Sequence, residues 1–214
     1  MAIWFASGNI HKKNELTAIL GQDVKLPTDA GLAFDPQETG CSFLDNALIK
    51  ARELIRLLEE KRPSLYKSGD PVIADDSGLC VDALGGRPGI YSARYSGCGS
   101  GAAQTAALTG KKLTDSERNA LLLSELGGNP LRSARFVCAM VLLYSPDRFF
   151  TVQETLEGEI VSGSETSRGE GGFGYDPILY IPALGRTAAE LSPEEKNSIS
   201  HRGKAGRALA RFLE

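Results

Sequence analysis

Apolar residues fall into two rhythms along this chain, and each rhythm predicts a different kind of element. Short continuous runs come first. "AIWFAS" at residues 2–7 breaks at Gly8-Asn9, and "PVIADD" at residues 71–76 ends in two acids. Runs of that length, bounded by turn residues, read as buried strands. "ARFVCAMVLLY" and "FFTVQETLEGEIV" are rich in β-branched and aromatic residues, and Ser145-Pro146-Asp147-Arg148 separates them. They read as an antiparallel pair. "ILYIP" at residues 178–182 is a further strand.

The second rhythm is helical. "HKKNELTAIL" carries Leu16, Ile19 and Leu20 at helical spacing. In "FLDNALIKARELIRLLEEKR", Leu44, Leu48, Ala51, Ile55 and Leu58 form one stripe, with Lys50 on its polar side. "TDSERNALLLSELGG" opens with Thr114 and Glu117 in capping-box spacing and closes on Gly127. Ser192-Pro193-Glu194-Glu195 is a strong helix start. "GKAGRALARFLE" ends the chain as a short amphipathic helix with Ala205, Ala208, Leu209 and Phe212 inward. Residues 61–70 read as an exposed loop. Early βα units followed by a β-meander predict an α/β fold with a mixed sheet.

A chain of 214 residues fits one large or two-lobed domain, and 42% apolar content allows a sizeable core. The net charge of −3 argues against a nucleic-acid or anionic-membrane surface, but not against a local basic pocket for a small anion. The cysteines Cys41, Cys80, Cys98 and Cys138 form no C-x-x-C pair and no zinc spacing, so reduced thiols are expected. "MAIWFASGN" is not a signal peptide, and no run reaches the roughly 18 apolar residues of a membrane span. The expected location is the cytoplasm.

Four segments could carry chemistry. In "SGNIHKKNE" a strand enters a glycine turn and then a helix with lysines in its first turn. Backbone N–H groups there, with Lys12 or Lys13, would suit a phosphate. Taken alone, the stretch is better explained by capping through Asn9 and a solvated basic helix face. No P-loop is present. Asp75-Asp76, at the end of a strand, suit a magnesium ion shared with substrate phosphates, or a simple turn. In "RGEGGFGYDP", Gly169, Gly171 and Gly174 match G-x-G-x-x-G, but a strand follows where a dinucleotide site needs a helix. The loop instead presents Phe173 for stacking and Asp176 as an acceptor for a base N–H, unless Phe173 is core. In "EEKNSISHRGKA", Lys196, His201 and Arg202 gather at a helix start. Taken together, these are the parts of a Mg²⁺-nucleotide site.

At this point the chain resembles the inosine triphosphate pyrophosphatase family, the non-canonical purine nucleoside triphosphate pyrophosphatases or XTP/dITP diphosphatases, in its bacterial branch. The stretches that carry the resemblance are "SGNIHKKNEL", "ETGCSFLDNALIKA", "ADDSGLCVDALGGRPGIYSARYSG", "GEGGFGYDPI" and "TAAELSPEEKNSISHRGKA", from residue 7 to about residue 206. The resemblance implies an elongated two-lobed α/β fold over residues 1–214. A long central mixed sheet would be flanked by helices, with the active site in the cleft between lobes. It implies a homodimer that hydrolyses dITP, ITP or XTP to the monophosphate and pyrophosphate with Mg²⁺. Residue by residue, Ser7, Gly8, Asn9 and Lys12 would hold the triphosphate. Glu38 and Asp76 would serve the metal, with Asp76 as the base and Asp75 in support. Ser77 would contact substrate, and Lys50 would add charge near the phosphates. Phe173 would stack on the base, with Gly174, Tyr175 and Asp176 completing that wall. Lys196, His201 and Arg202 would close over the nucleotide, and Arg94 would lie near the base or a hinge. Asp45 and Gln37 stand where the family commonly has Glu and a second acid, so Glu38 carries the second metal position alone.

Inosine and xanthosine present a carbonyl at C6 where adenine presents an amino group. Donors such as His201 and Arg202 would pair with that carbonyl, a mismatch that can discriminate by about 10⁴–10⁵. Two other readings remain open at this point: a pyrophosphatase for modified pyrimidine nucleotides, and a nucleotide-binding regulator without catalysis.

Overall fold

The computed structural model describes residues 2–97, 113–162 and 168–213, so Cys98 lies outside the described residues. In chain order the elements are β1 (Trp4–Phe5), α1 (Ile10–Leu20), α2 (Phe43–Lys61), β2 (Val72–Val81), α3 (Asp115–Leu126), β3 (Ser133–Ser145), β4 (Arg148–Ile160), β5 (Leu179–Ile181), β6 (Arg186–Thr187), α4 (Pro193–Ile199) and α5 (His201–Ala210). The strands form one six-stranded sheet in the order β1-β2-β3-β4-β5-β6. β1 runs parallel to β2, with Trp4 opposite Val72, whereas β4–β5 and β5–β6 are antiparallel. The expected mixed sheet with flanking helices is therefore present.

The chain divides into two compact units, Met1–Ser77, Val137–Thr155 and Asn197–Glu214 in the first, Gly78–Phe136 and Leu156–Lys196 in the second. In the first unit both faces of the sheet are covered. On one face Trp4, Val72, Ala74, Val141 and Leu143 pack with Ala47, Ala51, Leu54 and Leu58 of α2. On the other, Phe5, Ile73, Met140 and Leu142 pack with Leu16 of α1 and with Ala205 and Leu209 of α5. This is why "ARFVCAMVLLY" reads as a continuous apolar run: a strand covered on both faces has no solvent side to make polar. α1 and α5 come close enough that a Cβ on Gly206 would stand 2.8 Å from Ile19.

In the second unit α3 begins as its sequence predicts. The Thr114 side chain accepts the Glu117 N–H while Glu117 reaches back to the Thr114 N–H, and Gly127 closes the helix. Leu121, Leu122, Leu126, Ile178, Leu179 and Ile181 are among its buried residues.

Four sequence expectations need correction. β2 does not end at the acids but continues through Ser77 and Gly78 to Val81. The buried line of α2 is Phe43, Ala47, Lys50, Ala51, Leu54, Leu57 and Leu58, rotated from the predicted stripe, with Leu44, Leu48 and Ile55 at its margin. Lys50 is therefore on the inner face, not the polar one. The last helix starts at His201, and Phe212 lies beyond its end, 39% exposed and stacked on Phe150 at 4.2 Å. Within the 61–70 loop, Tyr66 and Asp70 are buried. Among the described residues, no helix is long and apolar enough to cross a membrane.

Candidate active site

Successive strand residues face opposite sides of a sheet. Asp75 therefore points with Ile73 towards α1 and α5, and Asp76 with Ala74 towards α2. The adjacent acids sit in two different clusters of the first unit.

The Asp75 cluster begins at the start of α1. The Asn9 side chain accepts the N–H groups of His11 and Lys12 at 2.9 and 3.3 Å, and Ser7 Oγ accepts the Asn9 N–H at 3.1 Å. This cap starts the helix so that Lys12 Nζ reaches Asp75 Oδ1 at 3.0 Å. Arg202, from α5, donates to Asp75 Oδ2 through Nε and Nη2 at 3.1 and 2.9 Å, to Ser77 Oγ at 2.8 Å and to Glu15 Oε2 at 2.6 Å. Burial works against the Asp75 charge, but Lys12 and Arg202 outweigh it and hold its pKa far below the usual carboxylate range. Burial lowers the Lys12 pKa, with Asp75 as its main support. Asp75 is thus a committed anion with its oxygens fully engaged, a poor base.

Asp76 is placed differently. Lys50 Nζ donates to Asp76 Oδ1 at 3.0 Å and to Glu38 Oε1 at 2.8 Å, so one ammonium bridges two carboxylates. Asn46 Nδ2 donates to Asp76 Oδ2 at 3.2 Å, while Asn46 Oδ1 accepts the Gly40 N–H at 2.9 Å and ties down the loop that carries Glu38. Burial raises the Asp76 pKa, Lys50 offsets part of that, and Glu38 adds to it. Burial also works against the Lys50 charge, but Asp76, Asp75 and Glu38 prevail and leave its pKa raised. Two hard oxygen donors already neutralised by a cation form a donor set that suits a divalent ion completed by substrate phosphates. Among the described residues, no group of three His, Cys, Asp or Glu side chains converges as a self-sufficient metal site.

The second unit holds a third cluster. Phe173 and Gly174 lie in a turn whose Gly172 and Gly174 have φ of 73° and 66°. Asp176 is 3% exposed. It accepts the Phe173 N–H at 2.8 Å and Lys196 Nζ at 2.7 Å. Lys196 Nζ also stands 4.8 Å from the Phe173 ring centroid. Tyr175 is buried and its hydroxyl donates to the Ser92 carbonyl at 3.0 Å. Asp176 is thereby engaged in building the loop. The turn leads through a 3-10 segment into the strand β5, not into the helix that a dinucleotide site needs.

So the structure brings Lys12, Asp75, Ser77 and Arg202 together, then Lys50, Glu38 and Asp76, then Phe173, Asp176 and Lys196. Ser7, Gly8 and Asn9 form the entry to α1. His201 is buried beside Arg202 at the start of α5. Arg94 is exposed, 5.4 Å over the Tyr91 ring, while Tyr95 is buried with its hydroxyl on Glu125. Sequence reasoning missed Glu15 and Asn46. Glu15 lies three residues after Lys12, the spacing of one helix face, which could have flagged it. Asn46 sits four residues before Lys50 on α2, the same signal in a second helix.

The Ham1 family model matches residues 3–212. A dITP/XTP pyrophosphatase of Treponema denticola is 46% identical over 215 residues, covering 100% of this chain and 99% of its own. One from Geobacillus kaustophilus is 44% identical over 208 residues, covering 95% and 89%. Among solved structures, the Staphylococcus aureus Ham1 protein superposes with a TM-score of 0.78 at 37% identity, covering 100% of this chain and 98% of that one. A HAM1 protein from Coxiella burnetii gives 0.77 at 37% identity, with the same coverage.

Proposed function

The chain belongs to the Ham1 family, and from that premise we propose how its three clusters divide the work of a pyrophosphatase for dITP, ITP and XTP. The hydrolysis of non-canonical purine nucleoside triphosphates follows from its relatives, dITP/XTP pyrophosphatases at 41–46% identity over nearly the whole chain. The residue roles are our reading of the site.

The observation that carries the reading is the contrast between the two acids. Asp75 is saturated by Lys12, Arg202 and Ser77, whereas Asp76 has one ammonium and one amide on it and a raised pKa. A general base works best when its pKa approaches the working pH. Asp76 takes the proton of the attacking water as the water oxygen bonds to the α-phosphorus. The bond to the β-phosphate bridging oxygen breaks, and pyrophosphate leaves. Bound Mg²⁺ would supply charge neutralisation at the phosphates, held by Glu38 and Asp76. Lys12 and Lys50 add positive charge, and the Gly8 N–H at the entry to α1 favours a phosphate oxygen, the Ser7 and Asn9 N–H groups being taken by the Phe5 carbonyl and Ser7 Oγ.

Phe173 stacks on the base in this reading. Arg202 spends its donors on Asp75, Glu15 and Ser77, so Lys196, already beside the Phe173 ring, is the better donor to a C6 carbonyl. The reading also carries Mg²⁺ as cofactor, a homodimer as assembly, the cytoplasm as location and residues 1–214 as one domain.

Pyrophosphate release from ITP, XTP, dITP, ATP and GTP, each with Mg²⁺ and with EDTA, tests it. Fast metal-dependent release from the first three alone supports the reading. Release from dUTP or 5-methyl-UTP instead would favour a pyrimidine pyrophosphatase. Binding without release would make the protein a regulator.

A further inference from the structure

Two residues of α3 hold both polar atoms of Gly174. Asp115 Oδ2 accepts the Gly174 N–H at 2.7 Å, and Asn119 Nδ2 donates to the Gly174 carbonyl at 3.1 Å. They are four residues apart, so one helix face presents an acceptor and a donor together. Gly174 has φ of 66°, and a Cβ there would meet nothing within 4 Å among the described residues. The glycine is thus required by its backbone conformation, not by crowding, and because glycine reaches φ > 0 without steric cost, the two hydrogen bonds from α3 are what select this conformation. Asn119 is 5% exposed, and its Oδ1 is buried with no hydrogen-bond partner among the described residues. Flipping the amide would satisfy nothing, because it would set two acceptors, Oδ1 and the Gly174 carbonyl, against each other. A buried acceptor left unpaired is unfavourable, so this amide is oriented for the loop.

The other side of the same turn is held by Asp176 on the Phe173 N–H and by Lys196 on Asp176. The backbone is therefore held on both sides of Phe173, by Asp176 on its own N–H and by Asp115 and Asn119 on the N–H and carbonyl of Gly174.

We propose that Asp115 and Asn119 are positioning residues for base recognition: through Gly174 they set the Phe173 ring for a purine base. This rests on the reading of Phe173 as the stacking partner. Neither residue touches the phosphates in this scheme, so their loss should weaken the base-dependent part of substrate binding alone.

The test uses the full chain with Asn119→Ala, Asp115→Ala, Asp115→Asn and Phe173→Ala. It reads kcat and KM for ITP, and inhibition by inorganic triphosphate, which has no base. Asn119→Ala and Asp115→Ala should each raise KM about tenfold, the scale of one lost hydrogen bond, while kcat changes by less than about twofold. Triphosphate inhibition should not change. Asp115→Asn, whose carbonyl still accepts the Gly174 N–H, should restore most of the loss. An unchanged KM in both alanine variants would overturn the proposal, as would triphosphate inhibition weakening in step with KM. If Asn119→Ala does not fold, the comparison of Asp115→Ala with Asp115→Asn decides. If Phe173→Ala raises KM and the α3 variants do not, this inference alone fails. If Phe173→Ala changes nothing, the stacking reading falls and this inference falls with it.

Discussion

Asp75 and Asp76 are neighbours in sequence and have opposite electrostatic environments. Asp75 Oδ2 receives two N–H groups from Arg202, and Asp75 Oδ1 receives Lys12. Asp76 shares Lys50 with Glu38 and faces the other side of the sheet. One strand thus carries a carboxylate held ionised and a carboxylate held closer to neutrality, because the pleat alternates and the two layers against it differ.

That contrast separates the two by substitution. Asp76→Asn should keep the fold and lower kcat by about 10²–10⁴, the range of a lost general base. Asp75→Asn should destabilise the protein by about 3–5 kcal/mol, because it removes the buried carboxylate that compensates Lys12 and leaves Arg202 with Glu15 alone. Urea unfolding and steady-state kinetics on both variants check this. Loss of stability in Asp76→Asn with full activity would reverse the assignment.

The two acids should also respond to pH with opposite sign. Asp76 has a raised pKa, so between the unfolded value of about 3.9 and its folded value the native state binds more protons. Its contribution to stability falls as pH rises through that window, while activity, which needs the carboxylate in the proposed mechanism, should rise. Asp75 has a depressed pKa, so its contribution is complete above about 3.9 and is lost as pH falls below it. The acid limb of kcat/KM should therefore have its midpoint above that of a free aspartate, and thermal stability should drop only at lower pH. An acid limb at the ordinary aspartate value would remove Asp76 as the base.

Lys50 is the main cation lowering the Asp76 pKa. In Lys50→Met the acid limb should move to higher pH, and the Mg²⁺ concentration giving half-maximal activity should fall, since two carboxylates lose their bridging ammonium. A pH–rate profile and a Mg²⁺ titration read both effects. An unmoved acid limb would show that Lys50 and Asp76 do not face each other in solution.

Gly203 follows Arg202 in the first turn of α5, and a Cβ there would overlap the Asn197 carbonyl and crowd Ser200 Oγ. Gly203→Ala should cost about 1–3 kcal/mol, the usual range for overpacking, and raise the KM for ITP as Arg202 shifts. An unchanged melting temperature would mean that the turn before α5 yields freely.

Much of the fold was legible in the sequence because its signals are local. The capping box at Thr114 and Glu117 and the start at Ser192 are set by side chains bonding to backbone a few residues away. The extent of β2 was not, because Ser77-Gly78 carries a turn signal that the sheet overrides. Pairing with its neighbours satisfies the backbone through the glycine, and a Cβ on Gly78 would overlap the Gly89 carbonyl and Ser92 Oγ. The buried face of α2 was misread for a similar reason. Asn46 and Lys50 look polar, and only their shared partner Asp76, thirty and twenty-six residues on, explains their burial.

For the site, the sequence by itself determined which groups are available: the paired acids, the lysines, the aromatic glycine loop and the arginine near the end of the chain. It also determined the helix starts that aim Lys12 and Arg202. Only the tertiary structure decided which partners and which environment each group has. A pKa depends on which charges lie within a few ångströms and on how much water is excluded. Those quantities arise when residues 12, 75 and 202 meet, and no spacing along the chain encodes them.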